Sequence, residues 1–239
     1  MYHVGTSGWS YNHWKGRFYP SELERGGWLD YFTQHFSTVE VNMTFYRLPS
    51  VKLLKGWYQQ TPPTFKFSLK GSRLISHIKK LKNTEELVKG FYRLAENLED
   101  KLGCVLWQVP PSLKINLELL QGFLRQLPRS FANVIEFRHT SWYAEEVYQL
   151  MKEHQTAFCI VSAPRLPSDA ITTSATAYIR FHGIDSWYRY HYSDSELAQW
   201  AETIKGLPAE DCFIYFNNDY QAYAVKNAAS LRRLLAGDE

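Results

Sequence analysis

Eight short apolar runs, each ending at a polar or charged residue, are the feature that most restricts how this chain can fold. The segments between them have helical spacing, so strand and helix patterns alternate eight times. Such alternation is typical of a closed (β/α)8 barrel. The runs cover residues 2–5, 38–42, 65–70, 103–108, 133–138, 157–162, 178–182 and 212–217. The sequence therefore predicts an α/β fold in which residues 1–239 form a single TIM-barrel domain.

One connection departs from the repeat. Residues 163–175 contain two prolines and few apolar side chains, so we expect an irregular crossover without a full helix after the sixth strand. Elsewhere, Ser141 and the segment 193–196 are predicted to open helices. The final helix is predicted over about 221–235, where it closes the barrel.

Composition limits the classes of protein to consider. The net charge of +3 neither requires nor excludes an anionic partner. Cys104, Cys159 and Cys212 lie inside predicted strands without metal-ligand spacing, which is typical of buried thiols in a reducing compartment. No signal peptide pattern and no apolar run of about 18 residues is present. We therefore expect a cytoplasmic protein that does not interact with membranes.

The strand period places charged residues inside the barrel. In TIM barrels the chemistry lies at the C-terminal ends of the strands. Period 2 puts Glu40 inside the second strand, Glu136 and Arg138 on one face of the fifth, and Arg180 and His182 on one face of the seventh. We predict that Glu40, Glu136 and His182 are catalytic. The alternative is a buried salt-bridge lattice without turnover, although such networks rarely improve stability over apolar packing.

Other polar residues near the strand ends are predicted to bind substrate. Lys70, Arg138 and Arg180 suit a phosphate or carboxylate group. The remaining members of this set are Ser7, Asn42, Gln108, Asn217, Asn218 and Asp219.

The loop after the first strand is rich in aromatic residues, with five between positions 9 and 19. We expect Trp9, Tyr11 and Trp14 to form an aromatic wall at the barrel mouth, where they would contact the substrate. The alternative is a satellite cluster that packs the loop onto the rim.

The sequence requires no cofactor. Glu40, Glu136, His182 and Asp219 have the donor chemistry of divalent-metal ligands, so a metal stays open, but no HExxH-type spacing supports it. Residues 65–83 form the one basic stretch, read as a solvated face or as a nucleic-acid contact that would be weak and salt-sensitive. Its cations are Lys66, Lys70, Arg73, Lys79, Lys80 and Lys82.

Motifs along nearly the whole chain resemble the YecE-like family, the domain of unknown function 72. They include the segments 5–11, 38–42, 44–47, 65–68, 136–139 and 215–219, together with Trp14, His77, Gln108, Arg180 and His182. The resemblance implies a TIM barrel, similar in architecture to xylose isomerase and apurinic endonuclease barrels, and implies no activity. Two departures from the family pattern are Ser76, where threonine is expected, and a turn after Asp219 that lacks glycine.

The leading hypothesis is an enzyme, a hydrolase or isomerase that uses acid–base chemistry on a small polar or anionic substrate of the sugar-phosphate kind. One alternative is a barrel that binds or processes nucleic acid. Another is a non-catalytic ligand-binding or interaction protein. Salt dependence of binding separates the first two, and burial of Glu40 and Glu136 away from any ligand would favour the last. The sequence specifies no oligomeric state.

Overall fold

The computed structural model describes residues 1–237. Eight parallel strands follow one another in chain order around a closed barrel, and β1 pairs with both β2 and β8. The strands are β1 (Tyr2–Ser7), β2 (Thr38–Val41), β3 (Lys66–Lys70), β4 (Leu102–Val109), β5 (Ala132–Phe137), β6 (Ala157–Ser162), β7 (Thr176–Phe181) and β8 (Asp211–Phe216). The predicted (β/α)8 architecture is confirmed, with strand ends that differ by at most two residues from the sequence pattern.

Helices cover the outside of the barrel. The crossover between β6 and β7 contains no helix among the described residues, as the sequence predicted. A single π-helical turn, Leu74–Ile78, follows β3. The α-helices are α1 (Trp28–His35), α2 (Met43–Tyr46), α3 (Val51–Gln60), α4 (Glu85–Ala95), α5 (Leu117–Leu124), α6 (Glu145–Glu153), α7 (Asp194–Lys205) and α8 (Tyr223–Ala236). Within residues 1–237, no helix combines the length and apolar character needed to cross a membrane.

The two predicted helix starts have different outcomes. Ser193 opens α7 through a reciprocal capping box with Glu196. Ser141 does not cap a helix, because it lies in the short 3-10 turn Thr140–Trp142 and α6 begins only at Glu145. Its hydroxyl instead accepts a hydrogen bond from the backbone N–H of Ile115 at 2.9 Å, which joins the loops that follow β4 and β5.

The barrel interior is polar towards its C-terminal end. At the N-terminal end the rings of His3 and Phe213 stack with centroids 4.4 Å apart. In the next layer the Tyr215 hydroxyl lies 2.6 Å from Thr38 Oγ1 and 2.8 Å from Ser68 Oγ. The three cysteines are buried free thiols, as expected. Apolar packing therefore holds the helices to the barrel, while hydrogen bonds increasingly fill its lumen.

The chain leaves β3 in close contact with β4. Gly71 directly follows Lys70, and its backbone N–H donates to the carbonyl of Leu106 at 2.7 Å. A Cβ atom on Gly71 would lie 2.2 Å from the fully buried ring of Trp107. The glycine is thus required by close approach, and it fixes the backbone beside Lys70.

This contact predicts opposite effects of two glycine substitutions. Gly71→Ala should lower the free energy of unfolding by about 1–3 kcal/mol or more, because the packed Trp107 ring must move. Gly56→Ala is the matched control, since Gly56 lies inside α3 and a Cβ atom added there would meet no other atom within 4 Å. The control should gain about 0.5–1 kcal/mol from helix propensity. Equal effects of both substitutions in urea unfolding would contradict the packing described for Gly71.

Candidate functional site

The centre of the barrel is occupied by a charged clamp. Arg180 in β7 places Nη2 2.7 Å from Glu40 Oε1 in β2 and Nη1 2.5 Å from Glu136 Oε2 in β5. All three side chains are 0% exposed. The alternation of each strand turns these residues inward, so one guanidinium joins three strands across the lumen.

The carboxylate of Glu40 is fully provided with donors. The Ser7 hydroxyl donates to Oε1 at 2.7 Å, and the Tyr178 hydroxyl donates to Oε2 at 2.7 Å. With Arg180, three donors from β1 and β7 therefore hold this buried group. A buried charge is tolerated in the interior only when it is paired and hydrogen-bonded in this way.

Glu136 is held by three cationic or ring N–H groups. Besides Arg180, the Nε atom of Arg138 lies 2.7 Å from Oε1 and the Nε2 atom of His182 lies 3.1 Å from it. Burial raises the pKa of the Glu136 carboxyl, but the charges of Arg138 and Arg180 and the His182 hydrogen bond outweigh burial. They hold the pKa of Glu136 well below its usual range. Glu136 is therefore ionised in the folded protein at neutral pH.

His182 is a neutral, enclosed ring. Burial, reinforced by the charges of Arg138 and Arg180, holds the pKa of its imidazole well below the usual range. The Asn217 Nδ2 group lies 3.3 Å from His182 Nδ1, and an N–H at Nε2 is in position to donate to Glu136. In this tautomer the proton is on Nε2, so Arg138 Nη2, 3.1 Å from His182 Nε2, is in contact with the ring but does not donate to it.

The three residues predicted to be catalytic thus come together at the C-terminal end of the barrel, but inside it. Glu40, Glu136 and His182 are each 0% exposed. Every carboxylate oxygen faces a protein donor. This geometry favours the alternative of a buried lattice that positions other groups.

Arg138 and Lys70 make further contacts at the mouth. Arg138 lies with its guanidinium 4.6 Å from the Trp187 ring, and its Nη2 donates to Gln108 Oε1 at 3.4 Å. Lys70 Nζ lies 4.5 Å above the Phe45 ring. It makes no hydrogen bond or ion pair with any other residue of 1–237.

The ionisation of two mouth residues is displaced. Burial, together with the charge of Arg180, lowers the pKa of Lys70 to about 8. Burial, together with the charges of Lys70 and Arg73, lowers the pKa of His77 to about 4. His77 was identified from sequence only as a motif residue, because nothing in its spacing places the π-helical turn beside Lys70. Its Nδ1 lies 2.9 Å from Ser76 Oγ, a bond that serine makes as well as the expected threonine would.

The charges of the cluster do not balance. The carboxylates of Glu40 and Glu136 offset the guanidiniums of Arg180 and Arg138. The ammonium of Lys70 has no carboxylate of its own. The mouth therefore carries one positive charge in excess within this cluster.

The aromatic loop after β1 splits into two parts. Trp9 and Tyr11 line a depression of about 420 Å³ together with Asn42 and Trp57. The Tyr11 hydroxyl donates to the carbonyl of Ser7 at 2.5 Å, which ties this wall to the residue that holds Glu40.

Trp14 does not belong to the predicted wall. It is 0% exposed and packs on Tyr11, Phe18 and Tyr19, while Tyr19 stacks on Trp28 with centroids 4.8 Å apart. The reason is that the loop folds back on α1, so its second half forms the satellite cluster that was the alternative.

Asn218 and Asp219, after β8, also differ from each other. Asn218 is fully buried, and its Nδ2 donates to the Tyr190 carbonyl at 2.8 Å and to Asn227 Oδ1 at 2.9 Å. It therefore anchors the strand end to α8 and does not face the mouth. Asp219 lines a second depression of about 380 Å³, and its Oδ2 lies 3.4 Å from His13 Nε2. Burial raises the pKa of the Asp219 carboxyl.

The turn after Asp219 keeps a left-handed course without glycine. Gln221 has a φ of 54° and Ala222 a φ of 61°. Non-glycine residues adopt this conformation at a cost of about 1–2 kcal/mol each. The turn therefore adopts a left-handed backbone that glycine would permit at lower cost.

The basic stretch is not one surface. Lys66 begins β3 and donates from Nζ to the carbonyl of Asp100 at 2.6 Å, whereas Lys70 ends the same strand at the mouth. Of the six cations in the stretch, only Arg73, Lys79, Lys80 and Lys82 are exposed. Among the described residues, no three histidine, cysteine, aspartate or glutamate side chains converge as metal ligands would. The metal interpretation gains no geometric support there.

Comparison with known proteins identifies the family. The model of the family described as "Protein of unknown function DUF72" matches residues 3–239, so the chain belongs to this family. The UPF0759 protein YunF of Bacillus subtilis is 25% identical over 98% of this chain and 95% of its own length. The UPF0759 protein YecE of Escherichia coli K12 is 28% identical over 85% and 83%. The family resemblance drawn from the motifs is confirmed.

Solved structures of the family share the fold. A DUF72 family protein from Thermotoga maritima superposes with a TM-score of 0.90 at 33% identity, over 99% of both chains. Another from Enterococcus faecalis has a TM-score of 0.85 at 22% identity, over 99% of this chain and 96% of its own. The descriptions of these proteins name no substrate or reaction.

The lattice predicts that Glu136→Gln is strongly destabilising. The substitution leaves Arg138 without a carboxylate partner and Arg180 with Glu40 alone, which should cost about 3–5 kcal/mol in free energy of unfolding. Glu22→Gln is the control, because Glu22 is exposed and should change stability by less than about 0.5 kcal/mol. The measurement is urea unfolding of the two variants and the parent protein.

The difference in stability between the parent protein and Glu136→Gln should depend on pH. A carboxyl with a lowered folded-state pKa stabilises the fold above its unfolded pKa of about 4.3 and loses that effect as the pH falls through the folded value. The difference in free energy of unfolding between the parent protein and Glu136→Gln should therefore become smaller below about pH 4. A variant as stable as the parent protein in urea unfolding at neutral pH would refute the lattice. It would support the catalytic role predicted for Glu136 from the sequence.

Proposed function

We propose that this protein is an enzyme that binds a small anionic substrate, of the sugar-phosphate or carboxylate kind, at the C-terminal mouth of the barrel. The observation that carries the proposal is the unpaired ammonium of Lys70, which stands beside Arg138 above a lattice whose own charges are matched. An anion at this position would restore charge balance in a partly desolvated site.

Arg138 is suited to hold the anionic group. Its Nε faces Glu136, its Nη2 contacts Gln108 and His182, and its plane lies against Trp187. These contacts fix the guanidinium before a ligand arrives, so little side-chain entropy is lost on binding. The edge at Nη1 makes none of these contacts and remains for a ligand oxygen.

Lys70 and His77 supply groups for proton transfer. Efficient general acids and bases have pKa values near the working pH, and the pKa of Lys70, about 8, meets this condition. His77, with a pKa of about 4, is a neutral imidazole that can donate or accept a hydrogen bond. Isomerisation and hydrolysis both need such proton transfers. In this scheme Glu40 and Glu136 position the cations and do not touch the substrate.

Two other functions receive less support. Nucleic-acid binding would use an extended basic surface, but Lys66 lies at the opposite end of β3 from Lys70. A non-catalytic anion binder would use the same contacts as the enzyme. Burial of Glu40 and Glu136 favours it, whereas Lys70 and His77, as groups for proton transfer, favour the enzyme.

The proposal predicts anion binding that depends on Lys70. Sulfate, whose charge is constant around neutral pH, should bind with one-to-one stoichiometry in calorimetry and should bind more weakly as the pH rises through about 8, where Lys70 loses its proton. Lys70→Gln should weaken binding by about tenfold or more, the value of one lost charge-assisted contact.

Lys82→Gln is the matched control, since Lys82 is exposed and the change in net charge is the same. Sulfate binding that Lys70→Gln leaves intact would refute the proposed site. A panel of phosphorylated sugars, followed by NMR, then separates enzyme from binder. Turnover that falls by about 100-fold or more in Lys70→Gln supports the enzyme, and binding without turnover of any member supports the binder.

A further inference from the structure

We infer that the Lys70 amine is a nucleophile that forms a Schiff base with the aldehyde or ketone group of an anionic carbonyl compound. The inference rests on the proposed function, because it assigns a covalent role to the same mouth. It narrows the substrate class to molecules that carry a carbonyl and a phosphate or carboxylate a few bonds apart.

The surroundings of Lys70 favour an amine over a structural ammonium. Its Nζ has no carboxylate partner within residues 1–237, and the face of Phe45, 4.5 Å away, is the contact that favours the charged form. Burial and the charges of Arg180 and Arg138 lower the pKa of Lys70, and they outweigh Glu136 and Glu40, which raise it. Desolvation and neighbouring cations are the two conditions that activate a lysine as a nucleophile.

A more deeply buried lysine, Lys101, provides a contrast to the half-buried Lys70 within the same chain. Lys101 is 4% exposed, and its Nζ donates to the carbonyls of Tyr58 and Thr61 and to the Thr61 hydroxyl, at 2.5, 2.6 and 3.2 Å. Three acceptors occupy its three protons, and it caps the C-terminal end of α3. Lys70 has none of these acceptors, so burial of its amine serves no comparable structural purpose.

The backbone holds Lys70 in place for a directed attack. The Thr44 hydroxyl donates to the Lys70 carbonyl at 2.6 Å, and Gly71 N–H donates to Leu106. The residue is therefore fixed on both sides at the end of a strand, while its side chain remains partly exposed. Catalytic groups placed on strand ends are held more accurately than groups on loops.

The reaction balances without any further reagent. The lone pair of the neutral amine attacks the carbonyl carbon, a C–N bond forms, and the π pair of the C=O bond moves to oxygen. A proton passes from nitrogen to that oxygen to give a carbinolamine. The nitrogen lone pair then forms the C=N bond as the hydroxyl group leaves, and the remaining N–H proton passes to that hydroxyl, so that water is released and a neutral imine at Nζ remains. Arg138 holds the anionic group of the substrate during these steps, as in the proposed function.

The test is reductive trapping with glyoxylate, a small anionic aldehyde, and sodium cyanoborohydride, followed by peptide mass mapping of the intact chain. Hydride from the reagent reduces the C=N bond to a stable secondary amine. At about pH 8 Lys70 should be modified at least about tenfold faster than the exposed Lys82, because a larger fraction of Lys70 is unprotonated. Sulfate should slow the Lys70 reaction, and Lys70→Arg should abolish this adduct while it keeps the positive charge.

The outcomes separate this inference from the proposal on which it rests. Modification of Lys70 no faster than that of Lys82 overturns the inference. If Lys70→Arg still binds sulfate in that case, the anion site stands and only the nucleophile is wrong. If Lys70 is trapped quickly but sulfate neither binds nor protects it, the nucleophile stands and the anion site is wrong. Propionaldehyde, which lacks the anionic group, should react with Lys70 more slowly than glyoxylate does.

Discussion

The structure depends on one guanidinium, that of Arg180, held between two carboxylates in the lumen of the barrel. The contacts of 2.7 Å to Glu40 and 2.5 Å to Glu136 join β7 to β2 and β5. A parallel barrel is usually filled by branched apolar side chains. Here the upper layer is ionic, so its stability rests on each charge keeping its partner.

This arrangement explains why the mouth is positively charged and partly desolvated. The lattice uses both carboxylates and leaves none to neutralise Lys70. It also fixes Arg138 through Glu136, and His182 lies neutral between them and Asn217. A costly buried network thus yields a positively charged, partly desolvated site. Structural and functional roles belong to different residues of one cluster, and Glu136 links the two.

The sequence predicted the barrel and most of the lattice, because both depend on strand period. Alternation alone placed Glu40, Glu136 and Arg180 inward at the C-terminal end. It did not show that the Glu40 carboxylate is sealed, since this depends on the hydroxyls of Ser7 in β1 and Tyr178 in β7.

Other residues were beyond local reasoning for related causes. Trp14 and Asn218 lie on loops that fold back on the helices. No spacing in the sequence indicates that these loops turn away from the barrel mouth. The importance of His77 follows from a π-helical turn that brings its ring to 4.9 Å from Phe45, next to Lys70. Charge excess at the mouth is a property of the assembled barrel, so no single motif carries it.

The most direct test of this account is the pKa of Lys70 itself, measured by NMR on protein labelled with ¹³C at the ε position of lysine. The Lys70 resonance is assigned by its absence in Lys70→Arg. The account predicts a titration midpoint of about 8 for this one resonance, well below the value of about 10.4 for a lysine side chain in a model peptide. A Lys70 midpoint near 10.4 would show that its ammonium is neither desolvated nor destabilised by the neighbouring guanidinium of Arg180, and would contradict the account.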